Sequence, residues 1–482
     1  MPCTFDFHFI MLQHPTYTCH GAAQRVTGSK HLITTSLGTQ VLLDCGLVQG
    51  EGAEGDLLNR HWGFDPRNID CVILSHAHID HTGLLPRLVR DGFSGPIYCN
   101  GATMDLCNMM LLDSAHIQES DLNRVNKRRI ARGESAIEPL YTEKDVVQTL
   151  GQMKSVEDEA WFQIDESCKF QLIPNAHILG SGCIHLSLQS IENKTVALTF
   201  TGDIGRPNDQ ILEGPFPFPQ SDYIICESTY GNREHLPSAD AKDPLLALIR
   251  HICVEKQGKI IIPAFSIDRT QEIIYLLDQL EHEKKLPSIK VYVDSPLSVK
   301  ATQVMSIHRE SFNPQILDYI SRDGDPFAFQ NLHYVSKLEE SKAINEEKQP
   351  SIIISASGMA DAGRIKHHIA NNIEDPNCAI LLVGYASPRS LAGQLIEGRE
   401  EVRIFGDIHK VKAEIHRMDN FSAHADWREM CDYLSCQDPS KVKKIFLVHG
   451  EPSGMASFET KLNNIGFADV EPAKMGVSHT LI

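Results

Sequence analysis

Short β-branched runs alternate with segments of helical spacing along most of the chain. The runs VALTF (196–200), YIICES (223–228), KIIIPAF (259–265), KVYVDS (290–295), SIIIS (351–355), AILLVGY (379–385) and KIFLVHG (444–450) predict strands. Between several of them lie helix-period stretches such as TQEIIYLLDQL (270–280), where Ile273, Ile274 and Leu277 share a face. Strands that alternate with helices imply an α/β protein whose sheets are covered by helices.

A chain of 482 residues exceeds one ordinary core, so at least two domains are expected. Pro- and Gly-bearing seams fall at EGPFPFPQSD (213–222) and HRMDNFSAH (416–424), and the stretch between them holds its own strands and helices. That pattern suits an insertion into an outer domain, with boundaries at 1–231, 232–415 and 416–482. No window is apolar enough to span a bilayer, so no membrane association is expected. The first dozen residues lack the basic n-region and cleavage site of a signal peptide. Instead they suggest a leader ahead of the domain start.

Thirteen cysteines are scattered without a CxxC pair, several within apolar runs, as expected of buried free thiols in the cytoplasm. A net charge of −18 argues against a broad nucleic-acid footprint but leaves room for a local patch. One such segment is NRVNKRRIAR (123–132), with Arg124, Lys127, Arg128, Arg129 and Arg132. Most basic runs of this kind are solvated helix faces, and phosphate contact is the alternative.

The chemistry concentrates after VILSHAHIDHTGLLP (72–86) begins as a strand. His76 and His78 point the same way in extended backbone, and the helical turn that follows re-aims Asp80 and His81. One loop thus serves two adjacent metals with imidazole and carboxylate donors suited to zinc. His177, Asp203 and His449 also end apolar runs, and Asp203 is placed to bridge two ions. Asp44, in QVLLDCG, is either a turn-forming residue or a carboxylate that orients metal ligands.

LLDCG, SHAHIDH, AHILGS and TFTGDIGRP resemble the four successive motifs of the metallo-β-lactamase superfamily. ICESTYG (225–231), NFSAHADW (420–427) and LVHGEP (447–452) resemble motifs A, B and C of its β-CASP branch. The likeness is to the nuclease subunit of the eukaryotic pre-mRNA 3′-end cleavage machinery and its bacterial and archaeal homologues. It implies an αββα metallo-β-lactamase sandwich with an inserted α/β β-CASP domain.

By the same resemblance, one Zn2+ would be held by His76, His78 and His177, and a second by Asp80, His81 and His449, with Asp203 bridging and Mn2+ an alternative metal. Glu227 and His424 would form an acid-side pair, and a histidine at motif C, His449, favours RNA over DNA. Relatives often carry glycine where this chain has Ala176. The archaeal KH-type N-terminal region and a long C-terminal extension are expected to be missing.

The resemblance implies a ribonuclease that cuts single-stranded RNA in a cleft between the two domains, as a monomer or homodimer. The same ligands serve endonucleases and 5′-to-3′ exonucleases. SASGMADAGRIKHH offers strand-to-helix backbone donors for phosphate, with Ser357, Arg364 and Ser422 as substrate contacts. A hydrolase of a small lactam or thioester reuses the same metals but has no need of an inserted domain. A silent scaffold would have lost ligands that this chain keeps.

Overall fold

The computed structural model describes residues 12–192, 194–235, 241–384, 386 and 390–482, apart from the side chains of Arg124 and Asp419. The expectation of a leader concerns residues that lie, but for Leu12, outside this set.

The chain packs as two units. The first comprises residues up to Gly205, Pro215–Glu234 and His424–Ile482, and the second comprises Arg206–Gly214 and His235–Ala423. The short segment Arg206–Gly214 therefore packs with the second unit, although it lies within the 1–231 segment read from the sequence.

Two seven-stranded mixed sheets build the first unit. One carries the strands Thr16–Cys19, His31–Thr34, Gln40–Leu43, Cys71–Ile73, Ile97–Cys99, Met153–Ser155 and Ser478–Thr480. The other carries Phe162–Asp165, Cys168–Pro174, Gly182–Gln189, Thr195–Phe200, Tyr223–Glu227, Lys444–Val448 and Val470–Pro472. Their facing sides share one core. Tyr17, Val41, Leu43 and Ile73 from the first sheet meet Phe170, Ile184, Leu198, Phe200 and Phe446 from the second.

Alternate residues of the same strands, Leu42 and Val72, are fully buried on the opposite face, so both sides of the sheet are covered. Behind the second sheet, Cys183, Ile224 and Leu447 pack with Met430, Leu434, Met455 and Phe458. Those four belong to the helices Trp427–Leu434 and Pro452–Asn464. The result is the αββα layering that the resemblance implies.

The second unit holds a six-stranded sheet in which every pairing is parallel. Its central strands, Lys259–Pro263 and Ser351–Ser355, read as unbroken isoleucine runs because both faces are buried. Ile261 and Ile353 face a core with Ile365, Ile369, Leu391 and Leu395. The helix Arg269–His282 confirms the periodicity of TQEIIYLLDQL, but it is buried on more than the single stripe read from spacing.

In the first unit several strands end where chemistry-bearing side chains begin. Asp44, Glu227 and His449 each close or directly follow a strand. The sheet register thereby sets their spacing: Tyr223–Glu227 pairs in parallel with Lys444–Val448, so the two ends lie side by side.

Phe446, fully buried, has its ring 4.9 Å from that of Tyr17 across the two sheets. Phe446→Ala is expected to destabilise the first unit by about 3–5 kcal/mol, since little can collapse into the gap. The measurement is the shift of its urea transition followed by circular dichroism; a shift below about 1 kcal/mol would remove this contact from the core's key interactions.

Candidate metal centre

Three strand ends of the first unit turn sharply in the left-handed region, at Asp44 (φ 58°), Ala176 (φ 55°) and His449 (φ 50°). Such a conformation costs a non-glycine residue about 1–2 kcal/mol, and surrounding bonds must hold it. The left-handed φ at Ala176 is one that glycine adopts without strain, so glycine would suit this position as well. Gly46 is required for another reason: a Cβ there would collide with the backbone of Asp80.

Asp44 is fully buried and does not form a turn with Gly46. Its carboxylate accepts the Ser75 N–H and hydroxyl, both at 2.8 Å, and lies 2.7 Å from His81 Nδ1. With Nδ1–H committed to Asp44, Nε2 of His81 is presented to Asp203 Oδ2 at 3.3 Å. The Gly46 N–H goes to the Ser29 carbonyl instead, and Asp44 bears on the His81 ring.

His76, His78, His177 and Asp203 form one group of donors whose ligand atoms lie within 4.8 Å of one another. His76 Nε2 and His177 Nε2 lie 3.1 and 3.2 Å from His78 Nδ1, and both lie 3.5 Å from Asp203 Oδ2. Asp80, His81 and His449 form a second group, with His449 Nε2 3.3 Å from both Asp80 Oδ2 and His81 Nε2. Asp203 Oδ2 touches both groups.

This donor set fits metal. Tetrahedral zinc with ligands at about 2.0–2.1 Å spaces them by about 3.3 Å, close to the separations seen. Burial lowers the affinity of His76 and His78 for protons, and His78 is brought down to about 4, so both imidazoles are neutral as ligands must be. Burial opposes a proton on His81 as well, but the charges of Asp203 and Asp44 outweigh it and raise the group well above its usual range. The site therefore draws positive charge between His81 and Asp203, where a cation would replace the proton. Oδ1 of Asp203, buried, accepts no hydrogen bond.

Glu227 and His424 belong to a third group that also includes Asp203. Glu227 is fully buried. It accepts the Ile204 N–H and the Thr229 hydroxyl (2.6 Å), and lies 3.1 Å from His424 Nδ1. The His424 ring leans on His177 with centroids 4.4 Å apart. Burial opposes protonation of His424, and the charge and hydrogen bond of Glu227 prevail, lifting it to about 9.

Three family models match this chain: the metallo-beta-lactamase superfamily over residues 31–243, the Beta-Casp domain over 270–395, and the Zn-dependent metallo-hydrolase RNA specificity domain over 408–472. A ribonuclease of Thermus thermophilus is 32% identical over 89% of this chain and 92% of its own length. The chain belongs to the β-CASP branch of the metallo-β-lactamase superfamily.

Transcription termination factor FttA is 29% identical in Pyrococcus horikoshii over 82% of this chain, and 30% identical in Methanothermobacter thermautotrophicus over 89% of it. The chain spans 59% and 66% of those two proteins. A crystal structure of a protein of unknown function from Enterococcus faecalis superposes with a TM-score of 0.53 over 97% of this chain and 100% of its own, at 11% identity, which speaks for the fold alone.

Within this β-CASP site, the seven ligand candidates, Asp44, Glu227 and His424 all come together. Ser357, Arg364 and Ser422 belong to the second unit. Arg364 is largely occupied there: it donates to the buried Asp294 carboxylate and the Ser336 carbonyl, both at 2.6 Å, and lies 3.3 Å from the Val335 carbonyl.

The residue that motif reading passed over is Thr229. Its hydroxyl donates to Glu227, so its oxygen can accept His449 Nδ1–H at 3.0 Å, which would leave Nε2 of His449, 3.3 Å from Asp80, as the ligand atom. Its position two residues after Glu227 in ICESTYG was the available signal. Ser181 works in a similar way, accepting the backbone N–H groups of His177 (2.8 Å) and Ile178 (3.1 Å). Asn100, which caps the helix Gly101–Ala131 on Thr103 N–H, also donates to the Gly180 carbonyl and pins the same turn.

Thr229→Val keeps the shape of the side chain and removes the hydroxyl. We expect metal affinity to fall about 10–100-fold with the fold intact, read by competition with a chromogenic chelator. Unchanged affinity would mean that His449 holds its tautomer without help.

Proposed function

We propose that this chain is a two-zinc ribonuclease that hydrolyses phosphodiester bonds of single-stranded RNA. The observation that carries this reading is the Glu227–His424 pair set beside the seven-donor cluster through Asp203. A module that merely stores metal needs no buried carboxylate holding an imidazole protonated. The RNA substrate is supported by the ribonuclease of Thermus thermophilus and by the match to an RNA specificity domain. That every ligand is retained disfavours the scaffold reading.

His76, His78 and His177 would hold one zinc, Asp80, His81 and His449 the other, and Asp203 both. When bound, the pair supplies a nucleophile at neutral pH and neutralises phosphate charge. The protein residues do the rest. Asp44 and Thr229 fix the tautomers of His81 and His449, so their Nε2 atoms face the metals. His424 keeps Nδ1–H on Glu227 and is left with Nε2–H to give to the departing sugar oxygen, which leaves poorly as an alkoxide. Ser357, Arg364 and Ser422 are the candidates for phosphate contact, with Arg364 offering only the N–H groups left over from Asp294.

Endonuclease and 5′-to-3′ exonuclease action both suit this arrangement, as do a monomer and a homodimer, and manganese is an alternative metal. Among the described residues every cysteine is free and all but Cys436 are buried, which suits a reducing cytoplasm. No helix among them is long and apolar enough to cross a membrane.

The decisive comparison is cleavage of 5′-labelled single-stranded RNA by wild type and His424→Ala, with metal content measured on both. The variant is expected to keep its metal and lose about 10²–10⁴-fold in kcat. Metal-loaded wild type that spared RNA but opened a lactam or thioester would replace this reading with the small-substrate one.

A second expectation concerns pH. An acid works only while protonated, so the rate should fall as pH rises through the His424 pKa, which Glu227 holds up near 9. Glu227→Gln removes that charge, and the alkaline limb of kcat should move to lower pH. An unmoved limb would show that His424 is not the acid.

A further inference from the structure

The helix Gly101–Ala131 ends in the basic segment that the metal site does not use. Lys127, Arg128 and Arg132 are exposed there. At about 100° per residue they fall within one arc of about 140°. Arg129 folds away from them, its Nε donating to the Ser135 carbonyl at 2.9 Å and its Nη1 lying 2.9 Å from Glu134.

Among the described residues, the side chains of Lys127, Arg128 and Arg132 find neither an ion-pair nor a hydrogen-bond partner. Among the described arginines this state is otherwise found only at Arg250; every other one is engaged with a carboxylate, a carbonyl, a ring or another group.

These uncompensated cations stand out in a chain with 63 acidic and 45 basic residues. Acidic partners are abundant, yet at this helix end Glu134 pairs with Arg129, and Lys127, Arg128 and Arg132 meet no carboxylate among the described residues. The helix dipole favours a cation in the last turn, where Arg128 and Arg129 both stand, so it does not account for Lys127. A polyanion approaching a chain of net charge −18 needs a local patch to hold it.

We propose that this helix end is a docking surface for the RNA backbone, with Lys127, Arg128 and Arg132 each taking a phosphate outside the metal site. The proposal rests on the ribonuclease reading. It adds that long RNA is bound more tightly than RNA that only fills the metal site. Arginine suits such contacts because its planar fork meets two phosphate oxygens at once.

The test compares zinc-loaded full-length wild type with Lys127→Gln/Arg128→Gln/Arg132→Gln. Glutamine keeps helix propensity and removes charge. The probes are single-stranded RNAs of about thirty and about six nucleotides, the shorter being near the lower size of a single-strand site. For the long RNA, KM is expected to rise about tenfold at low salt. The slope of log affinity against log salt should flatten by about 2, for three phosphates at about 0.7 each. Turnover of the short RNA and zinc content should not change.

An unchanged slope and KM with the long RNA would overturn the proposal, as would equal losses on both RNAs. So would a variant that binds RNA normally but no longer associates with a second copy, since the patch would then serve protein. If wild type cuts neither RNA, the ribonuclease reading fails by itself. Equilibrium binding of the long RNA by the same two proteins then still decides whether this surface holds it.

Discussion

Ionised carboxylates cannot sit away from water without positive charge or donors to meet them, and the first unit is organised around that requirement. Asp44, Asp203 and Glu227 are each 2% exposed or less. Asp44 is answered by a serine and a histidine, and Glu227 by a backbone N–H, a threonine and a histidine. Asp203 is met chiefly by imidazoles, and among the described residues its Oδ1 accepts no hydrogen bond, with His449 Nδ1 3.5 Å away. The first two carboxylates have donors for their oxygens, whereas the third is the one placed to meet a cation.

The two sheets make this affordable. Their shared core pins the strands, and most of the candidate ligands follow a strand end, while Asp80 and His81 sit on the helical turn Ile79–Thr82. Left-handed turns at Asp44, Ala176 and His449 would be liabilities in an isolated loop. Here the ladder on one side and the hydrogen bonds of Ser75, Ser181 and Thr229 on the other over-determine them.

Much of this was legible because its signals are local. HAHIDH packs four donors into six positions after an apolar strand, and the strands of the second unit are unbroken β-branched runs. Other features depend on partners far away in the chain. Arg364 looks like a phosphate ligand beside a glycine-bearing turn, but its carboxylate partner, Asp294, lies 70 residues earlier. Thr229 joins Glu227 to a histidine 220 residues later, and only its place two residues after Glu227 hints at that duty in sequence. Strands such as Cys168–Pro174 and Gly182–Gln189 mix polar residues into their pattern, since histidine and serine sit among the apolar positions. A single window therefore reads them less clearly than the isoleucine runs.

The order of the ligands along the chain bears on how the protein is made. Ser228 donates to the Val448 carbonyl across 220 residues, and His449 follows directly. During synthesis the donors up to Asp203 emerge long before their last companion, with most of the inserted unit in between. Closing so long a span costs little more entropy than closing a shorter one, provided the insert condenses on its own parallel sheet. A ribosome-bound chain without its last strands would carry one candidate donor group, His76, His78, His177 and Asp203, before the other gains His449. On that order, the proposed metal centre would be completed only as the C-terminal strands are released.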